Sequence, residues 1–383
     1  MTRPLPTGPL ADALARFPLT PGSGPQTALS LEQRVEKLVD LARRAADRAD
    51  AALAGEVHRR TARLHYDLGL PGTAYTVCNL HTSLLLQHWP LSVELARCAL
   101  ELQLTHADLL VRAGQPATAV ALLEAILRAI GTDRDAEAAA VGTLPMAHLV
   151  ETVQERGDLY EWWENASLLP LAQALVRDGD WARARLALMA DPTPPPGPGA
   201  ARQIETIALA LAGQHQIAAT RLARIRLDRQ TPWEHVVAAA LTTACTLLGE
   251  HADMGLLTDR LTALADAHDT YEPTGSPEFD TQLTLACVDL STAADTPALA
   301  ERFYEIAAHW ALEHPDGYSA RALLGHDLAA RLPDGHREEL AATVDRAGLA
   351  AAVLPPHLDD QVTGALVLAT QAITAATAPP PGP

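Results

Sequence analysis

THADLLVRAGQPATAVALLEAI, residues 105–126, is a helix-like stretch that stops at Ala113-Gly114-Gln115-Pro116 and restarts as a second helix-like stretch. The same event recurs five more times. It falls at Asp67-Leu68-Gly69-Leu70-Pro71, Asp178-Gly179-Asp180-Trp181, Ala212-Gly213-Gln214-His215, Leu248-Gly249-Glu250-His251 and Ala293-Ala294-Asp295-Thr296-Pro297. Gly179 to Gly213 is 34 residues and Gly213 to Gly249 is 36. A period in that range is the mark of stacked helix–turn–helix repeats.

Composition agrees with an all-α chain. The 383 residues are 48% hydrophobic with a mean hydropathy of +0.02, enough for a large core, yet only 4% are aromatic. Ala and Leu dominate, and both lose little side-chain entropy in a helix. No alternating Val/Ile/Thr/Tyr run reads as a strand.

A formal charge of −18 and a pI near 5.2 argue against a nucleic-acid footprint. Arg34, Lys37, Arg43, Arg44, Arg48, Arg59, Arg60 and Arg63 crowd one segment, but Glu32, Glu36, Asp40, Asp47, Asp50 and Glu56 are interspersed. That mixture predicts an ion-paired, solvated helix face. Lys37 is the only lysine, a bias that fits a GC-rich genome and carries no mechanism. Cys78, Cys98, Cys245 and Cys287 lie in separate helical stretches without CxxC spacing, as small buried residues of a reducing compartment do. No signal-like leader and no uncharged apolar run of 18 residues is present. The expectation is a soluble, cytoplasmic protein with no membrane contact.

Residues 1–30 are rich in Pro and Gly and predict a flexible lead, with one short helix conceivable from Leu10 to Phe17. Ser30 ahead of Glu32 and Gln33 suits the cap of a long first helix. A single helical-repeat domain is expected over 31–375, then a disordered tail over 376–383. The Pro-rich stretch within 191–200 breaks any helix and reads as an exposed connection or a domain boundary. Gly69 to Gly114 is 45 residues and Gly114 to Gly179 is 65. A degenerate unit or an inserted helix pair is therefore expected over about 131–167.

Taking Gly114 as the fifteenth position of a 34-residue unit places Ala107, Leu110, Ala119, Leu123 and Ile126 at the eighth, eleventh, twentieth, twenty-fourth and twenty-seventh. Counting from Gly179 gives Ala172, Leu175, Ala184 and Leu188; from Gly213, Thr206, Leu209, Ala218, Leu222 and Ile225; from Gly69, Ala62, His65, Ala74 and Cys78. This small-and-aliphatic pattern resembles the tetratricopeptide-repeat family over roughly residues 32–345. The first-helix Trp and the eighth-position Gly of that family are missing, His65 replaces an aromatic, and the spacing is uneven. The resemblance implies an α-solenoid, a right-handed superhelix of antiparallel hairpins whose concave groove binds a peptide or protein segment without catalysis. Actinobacterial regulators carry such repeats behind a helix-turn-helix DNA-binding domain. Residues 1–60 supply no such domain, so a stand-alone relative that does not contact nucleic acid directly is expected.

Candidate site residues are few. Trp162 and Trp163, with Asn165, form the one aromatic cluster of an aromatic-poor chain. Adjacent positions point about 100° apart on a helix, so one Trp lines a groove or the pair staples the irregular segment. Arg202 and Gln203 open the helix after the Pro-rich stretch, where a side chain on the concave face could engage a carboxylate or phosphate. Trp162, Trp163, Asn165 and Arg202 are expected near one another, with Gln203 alongside as a fifth binding residue.

Glu301, Glu305 and His309 share one helix face, yet helical metal sites draw ligands from several helices, so an exposed face is the better reading. His58 with His65, and His81 with His88, read as inter-helix packing histidines rather than ligands. Asp359-Asp360 begins no DDxxD motif, and GxSxG, Walker and GxGxxG sequences are absent. The expectation is a non-catalytic regulatory or biosynthetic accessory or scaffold protein with no metal and no cofactor. It would bind a peptide or partner protein, and a homodimer is compatible with that role. An all-α enzyme and a transcription-linked regulator remain as alternatives.

Overall fold

The structure, a computed structural model, describes residues 5–21, 29–189, 197–228, 230–249 and 254–378. Those residues form seventeen α-helices and one small hairpin. The helices are α1 Pro9–Arg16, α2 Leu31–Arg48, α3 Ala51–Asp67, α4 Pro71–Leu86, α5 Val93–Arg112 and α6 Pro116–Thr132. After strands β1 Ala136–Ala138 and β2 Gly142–Leu144 come α7 Val153–Arg177, α8 Trp181–Leu188, α9 Ala200–Leu211 and α10 His215–Leu222. Then follow α11 Pro232–Leu247, α12 Met254–Asp269, α13 Pro277–Ala293, α14 Pro297–Glu313, α15 Gly317–Leu324, α16 Asp334–Arg346 and α17 Pro356–Ala376. No helix among the described residues is long and apolar enough to cross a membrane.

Five of the six turns fall between two helices, and the backbone shows why; residues 250 and 251 of the sixth lie outside the described residues. In four of them an amide reaches back five residues to close the helix: Leu70 to His65, Gln115 to Leu110, Gln214 to Leu209 and Thr296 to Ser291, at 2.8–3.0 Å. That closure needs a left-handed residue at the helix end. Gly69, Gly114 and Gly213 supply it with φ of 83°, 72° and 74°, and Asp295 does so in the fourth with φ 55°. Proline then opens the next helix at Pro71, Pro116 and Pro297, where its missing N–H costs nothing. Ser30 caps α2 in a reciprocal pair with Gln33.

The small residues of the hairpin pattern are buried. Ala62, Ala74, Ala107, Ala119, Ala172, Ala184, Thr206 and Ala218 are all 2% exposed or less. Ala62, Ala74 and Cys78 pack in one cluster with Val77 and Leu109. Regularity fades further along: α8 and α10 stop after eight residues each, so Leu188, Leu222 and Ile225 are only half-buried.

Contacts divide the chain into two compact units rather than leaving 31–375 as one. A leading unit comprises Ser30–Asp178 and Gly348–Pro383, and a trailing unit comprises Met1–Leu29 and Gly179–Ala347. The turn at Asp178-Gly179 is one crossing point. The Pro-rich stretch is not one, and its residues 190–196 lie outside the described residues.

In the leading unit α17 packs on α2 and α3. Leu358, Val362, Ala365, Ala369, Ala372 and Ile373 form its buried stripe. The strand of chain before it clasps the α3–α4 turn, with Ala350 N to Asp67 O at 2.6 Å and Ala352 N to Leu68 O at 2.7 Å. Arg34 of α2 bonds the Asp67 carboxylate at 2.5 Å. In the trailing unit α1 packs on α13, and Ala13, Leu14, Phe17 and Leu19 of the expected flexible lead are instead core residues. Residues 1–4 and 22–28 of that lead, and residues 379–383 of the tail, lie outside the described residues.

Of the two alternatives expected over 131–167, a degenerate unit or an inserted helix pair, the helix pair does not form. Antiparallel β1 and β2 pair Ala136 with Leu144, and α7 begins only at Val153. Asp135 Oδ1 accepts the amides of Met146 and Ala147 at 2.9 and 3.0 Å, and Asp133 accepts that of His148 at 2.9 Å. Two aspartates thus satisfy loop amides that a helix would have paired internally.

Candidate functional site

The α7 aromatics separate by rotation around their helix. Trp163 is 0% exposed, and its indole Nε1 donates to Leu123 O of α6 at 3.3 Å. It is a core residue of the α6–α7 seam, not a groove residue. Trp162 is half-buried, with the Arg97 guanidinium 5.8 Å from its ring centre. Asn165 is exposed and its amide donates to Glu161 O on its own helix at 2.9 Å.

Arg202 and Gln203 belong to the trailing unit, and Trp162, Trp163 and Asn165 to the leading unit. Arg202 is half-buried. Gln203 is fully buried and fully used: Nε2 donates to Leu19 O at 2.7 Å and Pro198 O at 2.6 Å, while Oε1 accepts Leu19 N at 2.7 Å.

An open trough of about 850 Å³ runs between α6 and α7 in the leading unit. Glu124, Leu127, Arg128 and Gly131 line it from α6, and Val153, Arg156, Gly157 and Tyr160 from α7. Both sets sit at i, i+3, i+4 and i+7, one helix face each. The Tyr160 ring lies on Gly131, where an added Cβ would come within 3.1 Å of it. Val153 stands 75% exposed at the start of α7, and Asp133 holds Arg156 at 2.7 Å. Tyr160 stands two residues before Trp162, next to the aromatic cluster of the sequence. The other liners were missed, because the facing stripe only gains meaning once α6 and α7 are paired.

Arg34, Arg43, Arg59, Arg60 and Arg63 of the basic segment are ion-paired. Arg34 meets Asp67, Arg43 meets Asp40, Arg59 and Arg60 share Glu56, and Arg63 lies 3.9 Å from Asp108. The Glu301 row is an exposed face: Glu301 pairs with Arg331, and His309 with Glu313 at 3.3 Å. Among the described residues no three His, Cys, Asp or Glu side chains gather as a metal site.

Histidines instead fill the α3–α4–α5 interior. His58 Nδ1 bonds Ala54 O at 2.8 Å and His81 Nε2 bonds Cys98 O at 3.0 Å, with ring centres 4.9 Å apart. A carbonyl only accepts, so each bond fixes the tautomer and leaves a bare lone pair on the other nitrogen. His106 stacks on Tyr75 at 4.8 Å, and neither of its nitrogens has a hydrogen-bond partner among the described residues. Burial lowers the pKa of His58 and His65, of His81 to about 3 and of His106 to about 4; in the trailing unit it lowers His268 to about 4.

These shifts set a pH dependence. The unfolded chain protonates each imidazole as pH falls through 6.5, while the folded chain holds it neutral to lower pH. Stability is therefore complete above 6.5 and is lost as pH falls toward the folded values. His81, His106 and His268, with folded values near 3–4, should each cost about 1–2 kcal/mol between pH 7 and 5. Urea midpoints at the two pH values measure the loss. His106→Phe, which keeps the Tyr75 stack and breaks no hydrogen bond, should reduce it; an undiminished pH dependence would refute the assignment.

Comparison with known proteins finds no family model, no curated protein and no solved structure that matches this chain.

Proposed function

We propose that the chain is a binding module of tetratricopeptide-like hairpins, stacked as an α-solenoid, that acts as a regulatory or biosynthetic accessory by holding a segment of a partner protein. The α6–α7 trough carries this reading. Its volume of about 850 Å³ falls within the roughly 300–1,000 Å³ of ligand sites. Leu127, Val153 and Tyr160 offer apolar surface beside one anionic and two cationic side chains, Glu124, Arg128 and Arg156. That composition suits a short amphipathic segment laid along two helices, with a few polar contacts fixing its register. The closed turns and buried alanines of the hairpins support the repeat reading, and a net charge of −18 favours basic partners at long range.

Selection of a displayed peptide library on the purified full chain tests the proposal. Enriched peptides should lose about tenfold in affinity to Tyr160→Ala, a loss on the scale of an interface hot spot. Arg128→Glu should change which peptides are selected. No enrichment over a blank surface, or peptides indifferent to Tyr160→Ala, would defeat it.

A further inference from the structure

The trailing unit holds residues 9–19 of its own chain in the manner of a bound peptide. Helix α1 presents Ala13 and Leu14 to the unit, and Phe17 and Leu19 follow in extended chain; all four are 4% exposed or less. The Gln203 carboxamide takes both the N–H and the C=O of Leu19, each at 2.7 Å. A group that is donor and acceptor at once recognises extended backbone whatever its side chain. Arg16 is read separately: Nε bonds Asp289 Oδ2 and Nη1 bonds Gln282 Oε1, both at 2.7 Å. Asp289 is held in turn by His326, whose Nδ1 accepts the Leu328 amide at 3.1 Å, so that Nε2 carries the proton it donates to Asp289 at 3.0 Å. Main-chain capture, an arginine pocket and apolar anchors are the three components of a peptide receptor.

We propose that residues 9–19 are a built-in ligand of the trailing unit. The cleft formed by Gln203, Gln282 and Asp289 is a receptor for a peptide of that chemistry: a short apolar helix ending in arginine, then an aromatic residue and extended backbone. A partner segment of this kind competes with residues 9–19. This inference does not rest on the α6–α7 trough. Because the built-in segment belongs to the same chain, it meets the cleft as an intramolecular ligand, with the advantage over a free peptide that linkage gives. A free peptide of equal affinity is therefore shut out until the segment is released.

The test is to insert a protease site between Pro21 and Leu29, fold the full chain, cut it, and add a fluorescent peptide of residues 5–21. The cut protein should take up one labelled peptide per chain, and the uncut protein should bind it at least tenfold more weakly. A peptide carrying Arg16→Glu should lose at least tenfold in affinity for the cut protein; the change lies in the peptide, so the fold of the receptor is untouched. A cut protein that stays folded by circular dichroism and takes up no peptide overturns the proposal. So does one that unfolds on cutting and is not restored by the peptide, or one that binds the Arg16→Glu peptide equally well.

Discussion

Ending the chain after Leu354 should leave the leading unit unfolded and the trailing unit folded. The truncation removes α17, whose Leu358, Val362 and Ile373 are 3% exposed or less against α2 and α3. Burying three such side chains contributes roughly 5–9 kcal/mol, comparable with the roughly 5–15 kcal/mol that holds a whole domain together. Hydrogen exchange separates the two units: amides of α2–α7 should lose protection while those of α9–α15 keep theirs. Full protection of α2 and α3 in the truncated chain would show that α17 is an ornament on a unit complete without it.

Trp163→Ala should cost about 3–5 kcal/mol, the usual loss for a large aromatic taken from a core. Its neighbour behaves differently. Trp162→Ala should cost about 1 kcal/mol, since the half-buried ring gives up part of its contact area and a cation–π contact at a partly exposed site. Denaturant midpoints of the two variants decide the matter. Equal losses would mean that the two indoles share one environment, contrary to the rotation of α7.

The turns were legible because their cause is local. A left-handed residue at a helix end followed by proline is a requirement that Gly69-Leu70-Pro71 or Gly114-Gln115-Pro116 states in three letters. The alanines of the hairpins were legible for a related reason: a partner one turn away in sequence leaves a fixed offset. Neither property extends to α1 or α17. Arg16 finds Asp289 across 273 residues and Leu19 finds Gln203 across 184, and no period or offset records such a meeting. Gln203 was singled out in the sequence for a ligand, and its amide proves committed to the chain's own backbone. Strands of three residues, as in β1 and β2, are too short for alternation to register.

The exchange of terminal helices also governs how the protein comes into being. A chain made at about 5–20 residues per second releases α1 roughly 15–55 s before Asp289, the residue that anchors it, has been translated. Leu14 and Phe17 pass that interval without their binding surface. Helices α2 and α3 wait longer still, until α17 has emerged. The leading unit, mostly encoded first, is thus completed only after α16 of the trailing unit has left the ribosome. Vectorial synthesis ordinarily lets one domain mature before the next appears; here both reach maturity within seconds of each other, and the nascent chain carries two unfinished cores for most of its translation.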